Sequence, residues 1–439
     1  LILTLDINTP ISLILSKISS ASDNTHLRHN INRQPMKIPS LPYLERYRNE
    51  GTRTYSRHSD YSEAETMYRP GGGAESFTLP VFRVPKRYLN IYAANPAEDL
   101  LHRYLHDGAA LFCVHPQVLK RCGKDRYLQM IEQEGEEGPE LLVEPSSSTR
   151  TLMVRDRVPH ALKVHFPFRV SRYGRKMRDE VIEQAVAVSL EIEQGIEHFD
   201  QSFGFLPEVI GVSCRNLDES GVRGENWGYL VRDMRPLPAI SEQRYYIPGF
   251  ALYGRDFSDP DKELLLWDLI GVAEPLEFVL ENIMFPIIRH WVQCYQAFGF
   301  MLEPHGQNVL LELDSKFRVT RIVHRDLSVG IDMRRRHHNE LSAEQLNSYN
   351  RMYSGEFLSI TYDMFMGSHF FDRLVACCLE RCAGLSEEDF REPCRRYFAE
   401  LFPDHREALP TDVHYFSEER DQYGKPGYKN TGRKPVWRP

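Results

Sequence analysis

The stretch that most constrains this chain runs from Glu274 to Asp326. EPLEFVLENIMFPIIRHWVQCYQAFGF (274–300) carries a long apolar face of helical period and passes directly into M-L-E-P-H-G-Q-N (301–308). Two strand-like runs follow, 309–313 and 317–324, joined by the polar turn Asp314-Ser315-Lys316. Four polar side chains, at Glu303, His305, Gln307 and Asn308, are thus packed between apolar runs. Burying such groups without partners costs about 1–3 kcal/mol each, which favours a site over simple packing. Gly306 supplies a tight turn or room for a ligand. A hairpin over 309–324 would return the chain so that Asp326 lies near Asn308. An amide oxygen and a carboxylate are hard ligands suited to Mg²⁺ on nucleotide phosphates. His324 reads as a strand-face residue rather than a ligand.

His324-Arg325-Asp326 also spells the opening of a protein-kinase catalytic loop. Five positions past Asp326, where a kinase has its metal-binding Asn, stands Ile331. The chain has no G-x-G-x-x-G loop, no V-A-I-K-type Lys and no DFG after the triplet. A kinase-like phosphotransferase is therefore kept only as an alternative.

A length of 439 residues suggests two or three domains at about 150 residues each. A net charge of -8 argues against a nucleic-acid partner, which would call for a basic stripe. No run approaches about 18 uninterrupted apolar residues, so no membrane span is expected. The opening LILTLDINTPISLILSKISSA is broken by Asp, Asn, Thr and Pro, unlike a signal-peptide core. Eight scattered cysteines without a CxxC pair read as reduced thiols, which places the chain in a reducing, cytoplasmic setting.

Three regions are expected. Residues 1–76 lack apolar periodicity and read as irregular or disordered. Residues 77–250 alternate short strands with the amphipathic helix of GRKMRDEVIEQAVAVSLEIEQGIEHF, and RYYIPGFALYG closes them as a strand-like run. Residues 251–439 read as mainly helical, with helices around 342–357, 361–382 and 386–402 before an irregular basic tail.

A second chemical cluster is P-S-S-S-T-R-T, whose hydroxyls and Arg150 could grip phosphate or carboxylate oxygens. Taken alone it reads better as a plain Ser/Thr-rich turn. Lys163, on the following strand and on one face with His165, and Arg175, in SRYGRK, strengthen the anion reading; a solvated basic face is the alternative.

In order along the chain these pieces resemble the NRPS-independent siderophore synthetases, the aerobactin-synthetase family. The matching residues are V-H-P at 114–116, S-x-R-T at Ser148, Arg150 and Thr151, Lys163 with Arg175, and V-R-D at 231–233. I-P-G-F-A-L at 247–252, E-P-H-G-Q-N at 303–308 and Arg325-Asp326 complete the set. The resemblance spans about 115–330. It implies an α+β, hand-like enzyme with thumb, strand-rich fingers and a mainly helical palm, distantly kinase-like. It further implies an ATP- and Mg²⁺-dependent ligase that adenylates a carboxylate, commonly citrate or a citrate derivative, and passes the acyl group to an amine or hydroxyl. By motif, Ser148, Arg150, Thr151, Lys163 and Arg175 would hold phosphates and the acyl-adenylate. Glu303, His305, Gln307 and Asn308 would line the nucleotide and carboxylate site, and Asp326 would bind metal with Asn308. His305, Arg150, Lys163 and Arg175 are the expected catalytic residues. The partners expected are small molecules, with a homodimer as the candidate assembly.

The family's upstream His-Pro-rich motif with its downstream Lys is not found in 1–110. That leaves the thumb shortened or divergent, and a nucleotide-binding homologue without catalysis stays open.

Overall fold

Short runs rich in β-branched and aromatic residues, punctuated by Gly and Pro, build the first half of the molecule. The computed structural model describes residues 37–50, 62–170, 173–217, 226–420 and 426–439, without the side chains of 173–175, 420 and 426. Expectations for 1–36 and 51–61 lie outside the described residues.

Seven strands form the central sheet, in the order Phe77–Leu79, Leu141–Pro145, Thr151–Val154, His160–Val164, Gly228–Asp233, Glu208–Cys214 and Leu89–Ala93. Every neighbouring pair is antiparallel. The three strands His160–Val164, Gly228–Asp233 and Glu208–Cys214 are buried along their length, so both faces are covered. The amphipathic helix forms as Asp179–Gln194 and lies against this sheet. Gly211 and Gly228 permit that approach: a Cβ there would lie 2.4 and 2.2 Å from the Ile182 side chain.

A second sheet has the order Phe203–Phe205, Val319–His324, Val309–Leu313, Tyr245–Pro248. Its first pair is parallel and its centre is the expected hairpin, with Val309 opposite His324. Its turn is tied by Asp314, whose carboxylate accepts the amides of Lys316 and Arg318 at 2.8 and 3.0 Å. This sheet draws strands from both sides of residue 250, so the ladder runs through the expected division at that point. Ile38–Pro439 form one compact unit.

The run-in to the hairpin is helical from Pro275 to Phe298, with one widened segment at Leu280–Met284. Gly299 closes it with φ 68°, its amide reaching Tyr295 O at 2.8 Å. Helices continue over Glu356–Arg381, and Glu387–Leu401 follows behind a capping box of Ser386 and Asp389. The fold is mixed α+β.

Several expectations are corrected. The helix expected over 342–357 does not form. Instead the Asn347 carboxamide accepts the Tyr349 amide, and the Asn347 amide and the Asn350 side chain donate to Gln184, so local polar bonding displaces the helix. The strand expected through RYYIPGFALYG ends at Pro248, where the ladder loses a donor, and Gly249–Tyr253 is a short helix. Within the irregular 1–76 stretch, Leu41–Tyr47 is a helix started by Ser40 and a first-turn proline. The tail is likewise ordered: His414–Arg420 pairs with Pro426–Asn430, and buried Arg438 binds Asp363 at 2.9 Å.

Candidate functional site

Asp326 stands two residues beyond the hairpin's last paired position. Its backbone is left-handed, with φ 70°, a region that non-glycine residues enter at a cost of about 1–3 kcal/mol. The Arg325 amide bonds Asn308 O at 3.0 Å, so the hairpin closes and brings Asn308 beside the Arg325-Asp326 step. The Asp326 carboxylate is ion-paired with Lys163 on the central sheet.

This contact is electrostatically crowded. The Lys163 side chain is 2% exposed and that of Asp326 35%. Burial lowers the Lys163 ammonium, which Asp326 opposes and Arg150 reinforces. Burial alone would raise the Asp326 carboxyl. The cations Lys163, Arg232 and Arg150 overturn that and hold it well below the usual carboxylate range. Arg232, diagonal to Lys163 across the strand pair Gly228–Asp233 and His160–Val164, is itself held by buried Glu208 at 2.5 Å. The result is a carboxylate surrounded by fixed positive charge.

The Ser-rich turn joins Leu141–Pro145 to Thr151–Val154, and Thr151 lies opposite Lys163. It is internally organised. Thr149 takes φ 66°, its amide bonds Ser146 O at 2.9 Å, and the Ser148 hydroxyl accepts the Thr151 amide at 3.1 Å. Arg150 donates to Met177 Sδ at 3.0 Å while its charge acts on both Lys163 and Asp326.

In E-P-H-G-Q-N, Glu303, His305 and Gln307 are half-buried and Asn308 is buried. His305 Nδ1 accepts the Gln307 amide at 3.2 Å, which leaves the proton of the neutral ring on Nε2. The ring meets Phe365 edge-on at 5.6 Å. Nearby His369 is pushed down to about 3, by burial first and then by His305. Gly306 serves packing: a Cβ there would lie 2.5 Å from Tyr253 Oη and 2.9 Å from Phe250 N, and its carbonyl accepts the Phe250 amide. I-P-G-F-A-L is therefore the surface on which the polar segment rests.

The structure thus brings together Ser148, Arg150, Thr151, Lys163, Gln307, Asn308 and Asp326, with Glu303 and His305 on the same segment. Arg175 lies opposite Phe166 in the strand Tyr173–Arg175, its side chain outside the described residues. Lys163 and His165 take different partners: His165 stacks on Trp227 at 4.5 Å. His115 of V-H-P is a buried cap that accepts the Gln117 amide, among Tyr68, Phe77 and Phe166. Sequence reading missed Glu45, whose carboxylate accepts the Ser147 amide at 3.0 Å and pairs with Arg325 at 2.6 Å. The Ser-x-Pro helix start ahead of L-E-R-Y was the available signal. It also missed Arg232, which V-R-D contained.

A mixed α+β protein with an anion-ready cluster between two sheets is what fold and site define. Comparison supports the same class. Residues 285–422 match the family described as ferric iron reductase FhuF-like transporter. The petrobactin biosynthesis protein AsbB of Bacillus anthracis superposes with a TM-score of 0.65 at 16% identity, over 87% of this chain and 72% of that one. The aerobactin synthetase IucA of Klebsiella pneumoniae gives 0.60 at 15%, over 85% and 73%, and its IucC gives 0.61 at 15%, over 80% and 67%. No curated protein matches the sequence itself. The resemblance to the NRPS-independent siderophore synthetases holds at the level of fold.

Proposed function

We propose that this chain is an ATP-dependent ligase of siderophore biosynthesis that activates a carboxylate, citrate or a derivative, and joins it to an amine or hydroxyl. The observation that carries this reading is the Lys163–Asp326 pair, set between the Ser-Arg-Thr turn and the E-P-H-G-Q-N segment. The likeness to an ATP-bound aerobactin synthetase, at a TM-score of 0.56 and 17% identity over 80% of this chain and 66% of that one, supports ATP as the co-substrate.

In this reading a carboxylate oxygen attacks the α-phosphorus of ATP, the bond to pyrophosphate breaks, and an acyl-adenylate results. The amine or hydroxyl then attacks the acyl carbon, loses its proton, and AMP departs. Two anions must meet in the first step, so pre-placed cations are the main catalytic need. In this reading Lys163 and Arg150 meet it, Arg175 is assigned to the same task by its motif, and Ser148 and Thr151 would add donors to phosphate oxygens. By the same motif Glu303, Gln307 and Asn308 would line the nucleotide, and His305 would offer its Nε2–H to the reacting carboxylate. Removing one such donor costs about 10²–10³ in rate.

Asn308 and Asp326 fit Mg²⁺ by donor type, since both offer hard oxygens and Asp326 stays ionised under its cationic neighbours. A bound ion there would supply charge neutralisation between the phosphates, sharing the carboxylate with Lys163. The thumb, fingers and palm plan, and the kinase analogy in which His305–Asn308 correspond to the catalytic loop and Asp326 to the second metal-binding Asp, belong to the same proposal.

The test is to offer citrate and related acids with hydroxylamine and ATP, reading hydroxamate, pyrophosphate and AMP. Formation of ADP instead would overturn the ligase in favour of a phosphotransferase.

A further inference from the structure

Four segments far apart in sequence close a ring at the edge of the site. Glu45, fully buried on the helix Leu41–Tyr47, accepts the Ser147 amide at 3.0 Å and pairs with the Arg325 guanidinium at 2.6 Å. Arg325 Nε donates to Gln307 O at 2.7 Å, and Gln307 Nε2 donates to Ser147 Oγ at 3.3 Å. Each member other than Glu45 either is a candidate site residue or adjoins one: Ser147 precedes Ser148, and Arg325 precedes Asp326.

We propose that Glu45 is a positioning residue that sets the Ser146–Thr151 turn against E-P-H-G-Q-N and Asp326. This rests on the ligase reading above. One carboxylate spans the two sides because its two oxygens take different partners, one a backbone amide and one a guanidinium. A neutral or shorter side chain cannot hold both.

Energetics point the same way. A buried ion pair is seldom more stable than a well-packed apolar pair of similar volume, because desolvation offsets the attraction. The Glu45–Arg325 pair is thus better explained by the geometry it fixes than by stability. The helix that carries it is anchored independently. Arg48 pairs with buried Asp256 at 3.3 Å and donates to Glu263 O at 3.1 Å, and the Phe257 amide reaches Tyr47 O at 2.8 Å. A rigid strut therefore delivers the carboxylate.

The inference is tested in the full chain with Glu45→Gln, Arg325→Gln and the double variant. Each single change should raise KM for ATP and lower kcat, together by about 10- to 100-fold, as expected when reactants are misplaced by an ångström. Because the ring acts as a unit, the double variant should be no worse than the worse single one. Peptides covering 145–151 and 303–308 should exchange amide hydrogens faster in Glu45→Gln than in the unaltered chain, whether or not turnover is seen. A merely structural role would lower the melting temperature yet leave KM for ATP and exchange in those peptides unchanged in the folded fraction. If Glu45→Gln does not fold, Arg325→Lys is read instead: it keeps the charge but loses the planar fork that reaches Glu45 and Gln307 together. Kinetics and exchange within about twofold of the unaltered chain would overturn the proposal. An unaltered chain that releases no pyrophosphate with any carboxylate would overturn the ligase reading alone, and exchange would still decide the role of Glu45.

Discussion

Lys163 and Asp326 meet as an ion pair across 163 positions of sequence, one on a central-sheet strand and the other just past the hairpin. Because Lys163 is almost wholly buried, its charge leans first on this carboxylate, with buried Glu208 behind it. The contact therefore links the central sheet to the hairpin sheet in the same place where the reaction is proposed.

Replacing Asp326 by Ala should abolish carboxylate-dependent pyrophosphate release, by at least about 100-fold, while circular dichroism still reports a folded chain. Stability should fall by about 1–3 kcal/mol as Lys163 loses its partner, with the loss limited by water reaching a side chain that is 35% exposed. Near-normal turnover in this variant would remove Asp326 from the site.

His305→Ala is expected to stop turnover with a smaller change in melting temperature, because the ring is half-buried and accepts the amide of Gln307, only two residues on. Retained activity with a panel of acids would show that the E-P-H-G-Q-N segment is structural only.

Acid should unfold the chain readily. Burial pushes His115 and His369 down to about 3, lowers His160, and holds His290 and His324 well below the usual range. The unfolded chain protonates these rings near pH 6.5 whereas the folded chain does not, so stability is full above that pH. It is lost as pH falls from about 6.5 towards the folded values, by up to about 1.4 kcal/mol per pH unit for each ring. Melting curves between pH 8 and 4 should show the fall, and His115→Asn, which keeps an acceptor for Gln117, should shift the acid midpoint downwards. A flat profile would contradict the buried neutral state of these rings.

Arg438→Ala should cost about 3–5 kcal/mol, because it strands Asp363 as an unpaired buried charge. Denaturant titration would measure this, and the KM for ATP of the folded fraction should not change.

All eight cysteines are free thiols. Native chain should react with a thiol reagent at no more than Cys122, Cys377 and Cys382, the partly exposed ones, and only slowly at Cys377, where burial pushes the thiol up to about 11. Titration of all eight before unfolding would mean that the core opens readily.

What the sequence made legible was local. The helix into Gly299, the hairpin and its Asp314 turn, and the Ser-Arg-Thr turn each announce themselves by periodicity or by turn residues within a short window. The helix Leu41–Tyr47 escaped because its polar surroundings masked a single start signal, and its residues Glu45 and Arg48 find their partners only at distant positions. Gly306 reads as a tight turn or as room for a ligand, whereas its close neighbours are Tyr253 Oη and the Phe250 backbone, contacts that no spacing within its own segment foretells. His115 and Arg232 show the same limit, since V-H-P and V-R-D carry the resemblance without revealing that one residue is a buried cap and the other an ion pair beside the site.

The parallel pairing of Phe203–Phe205 with Val319–His324 has a consequence for biosynthesis. On the ribosome, Phe203 emerges long before Ile322, its partner, so this sheet cannot be completed in the order of synthesis. Nascent chain must keep that edge unpaired and Lys163 without its carboxylate until the later strand arrives. Chaperone dependence and sensitivity to translation rate should therefore concentrate in the interval between those two strands, and the proposed centre becomes whole only at its end.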